Sequence, residues 1–368
     1  MKIAQVAPLY ESVPPKLYGG TERVISYLTE ELVREGHDVT LFASGDSTTT
    51  AHLVPMCERA LRLEGRKIID PLVSHVRMIE VVGRESQNFD IIHFHIDYLH
   101  FPSSRRQPIP SVTTLHGRLD IPELWPLYRE FPDMNLVSIS NSQRRPLPWA
   151  NWAATVYHGL PAHLFRARAQ PGKYLAFLGR ISPEKRIDRA IEIARLAGMP
   201  IKIAAKIDAV DQEYFDKRIR KLLDQPMVDF IGEIGEQEKS DFLGNAFALL
   251  FPIDWPEPFG LVMIEAMACG TPVVAYPMGA VPEIIDEGTT GYLVSSVPEA
   301  VDAIQRISTL DRLTCRRVFE ERFSAQRMCS EYLEVYRRLC EPESAGIYPV
   351  VDNSKATLPS TGPELRAN

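Results

Sequence analysis

Phe251–Ala275 reads FPIDWPEPFGLVMIEAMACGTPVVA. The apolar run Ala246–Phe251 that leads into it predicts a buried strand. Pro252, Pro256 and Pro258 keep the next residues out of the helical region, so a loop follows. A helix starts near Phe259–Gly260 and runs through LVMIEAMAC. Gly270 ends it, because a helix C-terminus favours a residue free to take positive φ. Pro272-Val273-Val274-Ala275 predicts the next buried strand. Strand, loop, helix, turn and strand make the repeating unit of a parallel α/β sheet, and such sheets bind ligands at the carboxyl ends of their strands.

Two carboxylates stand in this unit. Glu257 lies at the end of the loop. Glu265 lies on the helix among Leu261, Val262, Ile264, Ala266 and Met267, where a charge is costly unless it is paired. The amides of Phe259, Gly260 and Leu261 are helix N-terminal donors suited to a phosphate or sugar oxygen. Two acceptors for hydroxyls beside an anion cradle suit a nucleotide sugar. Taken alone, the pair fits equally a solvated loop residue and a helix-surface charge.

The segment from Glu257 to Val273, EPFGLVMIEAMACGTPV, resembles the signature of the retaining glycosyltransferases of family 4, which have the GT-B fold. The resemblance implies that Glu257 contacts donor-sugar hydroxyls and Glu265 the nucleotide ribose. It extends from about Lys2 to Leu339 and is tightest in the second half.

Upstream, Tyr174–Leu178 predicts a strand ending in Gly179-Arg180-Ile181-Ser182-Pro183-Glu184-Lys185-Arg186, ahead of a helix over Arg189–Ala197. A guanidinium offers phosphate a two-pronged fork and an ammonium offers a mobile point charge, so Arg180 and Lys185 are candidates to balance a departing diphosphate. Solvated surface charge is the ordinary alternative. The segment is similar to the family's G-R-L-x-x-x-K-G, whose Arg and Lys hold the donor diphosphate; Arg186 stands where glycine is common. Downstream, Gly279 is expected to let its loop approach the donor.

The first half opens with a strand at Lys2–Pro8, a proline-bearing loop, and a helix begun by Gly19-Gly20-Thr21-Glu22. Its apolar face is Val24, Ile25, Leu28, Leu32 and Val33. A second strand follows at Val39–Ala43. Adjacent glycines permit close backbone approach by a ligand, or simply a tight turn. In the family this position lies near the donor phosphates and acceptor site. Phe89–Phe94, Val112–Leu115, Leu136–Ser140 and Ala154–Val156 predict further strands with polar residues at their ends. His116 sits at one such end, within Thr114-Leu115-His116-Gly117. The family has a histidine in a similar segment lining the donor-sugar pocket; a turn histidine is the plainer alternative. His93 and His95 share a strand face with period two. No carboxylate or cysteine near them has zinc-ligand spacing, so packing and hydrogen bonding is the preferred reading.

At 368 residues the chain is long enough for two cores. Apolar residues make up 45% and charged residues 24%, as in an ordinary globular protein. A net charge of −7 offers no basic field for nucleic acid. No apolar run is long enough to span a membrane. Nothing basic and amphipathic supports peripheral membrane contact, and the start lacks the pattern of a secretory leader. Five scattered cysteines read as free thiols in a reducing compartment, so a cytoplasmic protein is expected.

The expected architecture is α/β, with two Rossmann-like domains facing across a cleft. Residues 1–165 would bind acceptor and 166–323 the nucleotide-sugar donor, with a polar linker at Arg166–Lys173. A helix over 324–341 would cross back to the first domain, and 342–368 would form a disordered tail. The expected activity is metal-independent, front-face transfer of a hexose with retention, from a nucleotide-diphosphate sugar to an acceptor hydroxyl, with no cofactor. The chain holds no Asp-x-Asp. Candidate catalytic residues are His116, Glu257, Arg180 and Lys185. Donor-binding candidates are Gly19, Gly20, Arg180, Lys185, Glu257, Phe259, Gly260, Leu261 and Glu265. A GT-B epimerase, a phosphorylase and a non-catalytic nucleotide-sugar binder are the alternatives.

Overall fold

A computed structural model describes residues 1–17, 19–64 and 68–341. The expected tail at 342–368 lies outside the described residues. The first sheet has seven parallel strands: β1 (Lys2–Val6), β2 (Asp38–Ser44), β3 (His52–Cys57), β4 (Ile91–Phe94), β5 (Ser111–Thr114), β6 (Leu136–Ser138) and β7 (Trp152–Thr155). Their order is β3-β2-β1-β4-β5-β6-β7. The second sheet has six: β8 (Tyr174–Arg180), β9 (Ile201–Lys206), β10 (Val228–Gly232), β11 (Ala246–Phe251), β12 (Val273–Ala275) and β13 (Gly291–Leu293). Their order is β10-β9-β8-β11-β12-β13.

Each sheet is wound outward in one direction and then the other. The direction reverses between β1 and β4 in the first sheet and between β8 and β11 in the second. At such a switch point the neighbouring connections leave on opposite faces and open a crevice beyond the strand ends. The central strands β1, β4 and β11 are buried along nearly all their length and mostly apolar, as sheets covered on both faces require, with Gln5 and His93 the buried polar exceptions.

The last helix, Ala325–Cys340, returns to the first domain and packs along the Gly20–Arg34 helix. Met328, Tyr332, Leu333, Val335 and Tyr336 are its buried face. Ser324 caps it, accepting from the Arg327 amide at 3.3 Å. The two chain crossings between domains run side by side: Leu160 N donates to Phe323 O and Ala325 N to Leu160 O, both at 2.9 Å. Gly159 makes this approach feasible, since a Cβ there would lie 2.3 Å from Ser324 O. The pairing therefore sits a few residues ahead of the polar stretch Arg166–Lys173 that composition marked as linker.

Several elements of the first domain have no counterpart in the sequence reading, among them β3 and the Leu72–Glu85 helix. Strand β3 is a half-exposed edge strand that contains Pro55, which removes a ladder donor. The helix exposes Leu72, Val73 and Val76 while burying His75, Met78 and Val82, so apolar character does not mark its inner face. Arg186, where the family favours glycine, adopts a left-handed backbone at φ 53° just before the Ile187–Ala197 helix. Ion pairs to Asp188 at 3.0 Å and Asp254 at 2.8 Å hold it there. The five cysteines are all unpaired.

Candidate active site

Residues at the carboxyl ends of both sheets line one cavity of about 880 Å³. The switch points supply it. Gly19 and Gly20 follow β1, Asp97 follows β4 and His116 follows β5. From the second domain, Arg180 and Lys185 come at and after β8, and Glu257 to Leu261 after β11. Glu265 reaches it from the Leu261–Ala268 helix. Every residue named above as a catalytic or donor-binding candidate thus borders the same space.

Glu257 is buried, and its position is fixed from three sides. Its Oε2 accepts from Lys185 Nζ at 2.5 Å and from Trp255 Nε1 at 2.9 Å. Its carbonyl accepts from Ala280 N at 2.9 Å. Gly279, at φ +63°, has no room for a side chain: a Cβ would lie 2.3 Å from Glu257 N and O. The sequence reading had Gly279 approaching the donor. The structure instead has it approaching the Glu257 backbone, so its smallness places the carboxylate. Lys185 Nζ also sits 4.8 Å from the Trp255 ring centroid, a cation–π contact in a partly dehydrated place.

Glu265 is 2% exposed and accepts from Lys239 Nζ at 2.6 Å. A helix-surface carboxylate is therefore excluded. Lys239 is a site residue that the sequence reading does not nominate. It lies on the Glu236–Gly244 helix, a polar segment with little periodicity, so nothing local distinguishes it from a surface lysine. The Leu261–Ala268 helix is preceded by Gly260 at φ +91°, where a Cβ would come 2.7 Å from Met263 Cε. Across the cavity, Gly20 approaches Leu261: its Cβ would lie 3.5 Å from Leu261 Cδ1.

Arg180 ends β8 among carboxylates. Its guanidinium lies 2.6 Å from Glu184, 3.6 Å from Asp208 and 3.5 Å from Asp211. The sequence nominates Arg180 and Lys185 as cations for a departing diphosphate, with solvated surface charge as the alternative. The structure gives each a carboxylate partner, as partial burial of a full charge demands. An anion entering here would compete with those partners. Arg23, from the Gly20–Arg34 helix, borders the cavity and pairs at 2.6 Å with Glu236 of the second domain, which also accepts from Tyr27.

On the first-domain side, His116 Nε2 lies 2.9 Å from His95 Nδ1, and His95 Nε2 lies 2.8 Å from Gln5 Oε1. Burial pushes His116 down to about 3 and His95 well below its ordinary value, so both rings are neutral at working pH. His93 bonds Tyr336 Oη at 2.6 Å and Thr114 Oγ1 at 2.7 Å. The ring nitrogens of His93 and His95 are thus taken up by a hydrogen-bond network, not turned toward a common centre. The His158 ring stacks on His116 with centroids 5.3 Å apart. Asp97 is a second residue that the sequence did not nominate. It has a left-handed backbone at φ 51°, is exposed on the cavity wall, and has no ion-pair or hydrogen-bond partner among the described residues. The surrounding walls push its carboxyl up to about 6 by desolvation.

Two family models match the chain. Glycosyl transferases group 1 covers residues 165–321. Glycosyltransferase Family 4 covers residues 18–177. The chain is 24% identical to the N-acetyl-alpha-D-glucosaminyl L-malate synthase of Bacillus anthracis, over 89% of this chain and 96% of that protein. Among solved structures, AviGT4, a glycosyltransferase involved in avilamycin A biosynthesis, superposes with a TM-score of 0.71 at 24% identity, covering 92% of this chain and 98% of that one. The HepE protein of Anabaena in complex with UDP-glucose superposes with a TM-score of 0.70 at 17% identity, covering 92% and 100%. Both likenesses show the same two-domain fold. With the two family models running together from residue 18 to residue 321, the chain belongs to the group 1 and family 4 glycosyltransferases of the GT-B fold.

Proposed function

We propose that the protein transfers a hexose from a nucleotide-diphosphate sugar to an acceptor hydroxyl, with retention of configuration and without a metal ion. The observation that carries this reading is the cluster at the β8/β11 switch point: Lys185 on Glu257, Lys239 on buried Glu265, and a helix start between them. In this reading the ribose exchanges hydrogen bonds with Glu265 and the diphosphate lies at the amides of Phe259, Gly260 and Leu261. The helix start supplies about half a positive charge. Arg180 and Lys185 supply the rest by releasing their carboxylate partners.

Glu257, freed from Lys185, accepts from donor-sugar hydroxyls, and His116 faces the same sugar from the first domain. The acceptor enters over the first-domain wall, past Gly19, Gly20 and Asp97. Its hydroxyl attacks from the side the diphosphate leaves, and the leaving phosphate takes its proton. The protein's contribution is positioning and charge stabilisation. Retention and the front-face course are carried over from the family resemblance. Metal independence rests on the two cations and on a sequence without Asp-x-Asp. The complex of HepE with UDP-glucose supports a sugar nucleotide as the ligand class. No helix among the described residues is long and apolar enough to cross a membrane. The unpaired cysteines favour the cytoplasm as the working compartment.

The test is a panel of UDP-, GDP- and ADP-linked glucose and mannose, read by calorimetry and by nucleotide release, with the anomeric configuration of the product read by NMR. Binding and release in excess EDTA, with the α-configuration kept, are the expected result. Activity lost in EDTA and restored by Mg²⁺ or Mn²⁺, or an inverted product, overturns the corresponding part of the proposal.

A further inference from the structure

We propose that Gln5, held by the crossing helix, sets the tautomer of His116, so that His116 Nδ1 meets the donor sugar as a hydrogen-bond acceptor. The inference rests on the donor reading above for its ligand; its tautomer claim stands without it.

Gln5 lies inside β1 and is fully buried. A buried amide must spend both its ends on partners. Its oxygen lies 2.8 Å from His95 Nε2 and its nitrogen donates to Tyr336 Oη at 3.1 Å. An amide oxygen only accepts, so His95 carries its proton on Nε2. A neutral imidazole has one N–H. His95 Nδ1 is then a bare lone pair and receives the proton on His116 Nε2, 2.9 Å away. His116 Nδ1 is bare in turn. It is buried and has no hydrogen-bond partner among the described residues.

The other end of the wire closes on the last helix. Tyr336 Oη, taking a proton from Gln5, gives its own to His93 Nδ1 at 2.6 Å. His93 Nε2 donates to Thr114 Oγ1 at 2.7 Å, and Thr114 shares a hydrogen bond with Tyr332 Oη at 2.8 Å. The register Gln5↔His93 between β1 and β4 brings these groups level. Turning the Gln5 amide over would reverse every bond and put the proton on His116 Nδ1. The amide orientation is thus the element that decides what His116 offers a ligand. Stacking on His158, whose ring packs 4.8 Å from Phe259, holds the imidazole plane. Gln5 is a positioning residue: it acts on the sugar through His95 and His116.

The experiment is ¹⁵N NMR of histidine-labelled full-length protein, with His116 signals assigned by their loss in His116→Gln. The expected spectrum has His116 protonated on Nε2 and bare on Nδ1. Gln5→Glu, whose carboxylate can only accept from His95, should leave that tautomer as it is. Gln5→Leu should give a mixture and raise the donor KM roughly fivefold, the effect of losing one ordinary hydrogen bond, with kcat changed less. UDP-glucose or GDP-mannose should shift the wild-type Nδ1 signal. A wild-type His116 protonated on Nδ1, a tautomer reversed by Gln5→Glu, or a Leu variant with the wild-type tautomer would each overturn the inference. So would bound nucleotide sugar that leaves Nδ1 unmoved. The stated tautomer in a protein that binds no nucleotide sugar would uphold the wire and sink the donor reading instead.

Discussion

The second-domain wall of the cavity sets Lys185, Lys239 and Arg180 each against a carboxylate, and the first-domain wall around His116 sets neutral imidazoles beside the carboxylate of Asp97. Lys185 with Glu257, Lys239 with Glu265 and Arg180 with Glu184 are ion pairs that, in the proposed function, exchange for contacts to a diphosphate and a ribose. His95 and His116 offer neutral rings with directional hydrogen bonds, and Asp97 adds a carboxylate beside them. The contrast follows from what each side would handle. One balances charge that grows on a leaving group, and the other orients hydroxyls.

The contrast is broken hardest at Lys185. Lys185→Ala removes the cation that the proposed function sets against growing charge, and leaves buried Glu257 without its ion-pair partner. We expect kcat to fall by roughly a hundredfold or more, with a smaller change in KM, in a nucleotide-release assay. Arg180→Ala should act in the same direction, and the double variant should lose less than the sum. A raised KM with kcat untouched would mean that Lys185 gives only uniform binding. Next comes Glu265→Gln. It leaves Lys239 without its carboxylate, and free-nucleotide affinity should drop roughly tenfold by calorimetry. An unchanged affinity would remove Glu265 from the ribose.

On the first-domain side the sharpest probe is pH. His93, His95, His100, His116 and His158 are all held below their ordinary value by burial. The unfolded chain therefore binds more protons than the folded one between about 3 and the unfolded value near 6.5. Their contribution to stability is complete above that value and is lost as pH falls through the window. Melting temperature should decline steadily from pH 6.5 downward, by roughly 2–4 °C for each kcal/mol lost. A flat profile would show that the rings are charged in the folded state. The smallest effect is expected at Asp97. Its carboxyl, at about 6, loses its charge below that pH. Acceptor KM should rise a few-fold there, by roughly the weight of one hydrogen bond. Asp97→Asn should flatten the pH dependence while nucleotide binding stays as it was.

How much was legible beforehand differs between the same two walls. The second-domain site is concentrated in two short stretches, Arg180–Lys185 and Glu257–Glu265, where proline, glycine and charge fall at telling intervals. Local sequence therefore displays it. The partners of these residues are another matter. Lys239 reaches Glu265 from 26 positions away, and Asp208 and Asp211 reach Arg180 from the end of the next strand. Nothing in their own neighbourhoods announces it. His116 was visible as a strand-end histidine, but its wire joins residues 90 and 331 positions apart, and only the strand order brings them together. The unread stretch around β3 and the Leu72–Glu85 helix failed for a different reason: an edge strand containing proline and a helix with apolar residues outside both blunt the periodic signal.

The pairing of the two crossings at Leu160 and Ser324 has a consequence for how the protein is made. The first domain begins with residue 2 and is finished by Tyr332 and Tyr336, so the second domain is in effect spliced into it. When β7 leaves the ribosome, the Tyr332 and Tyr336 hydroxyls that Gln5, His93 and Thr114 bond have not yet been made, and the flank of the Gly20–Arg34 helix is uncovered. At ordinary rates of synthesis roughly ten to forty seconds pass before the last helix follows. The second domain can close in that interval. The amino-terminal half completes last, and a chain cut short by its final helix is damaged at the end that was made first.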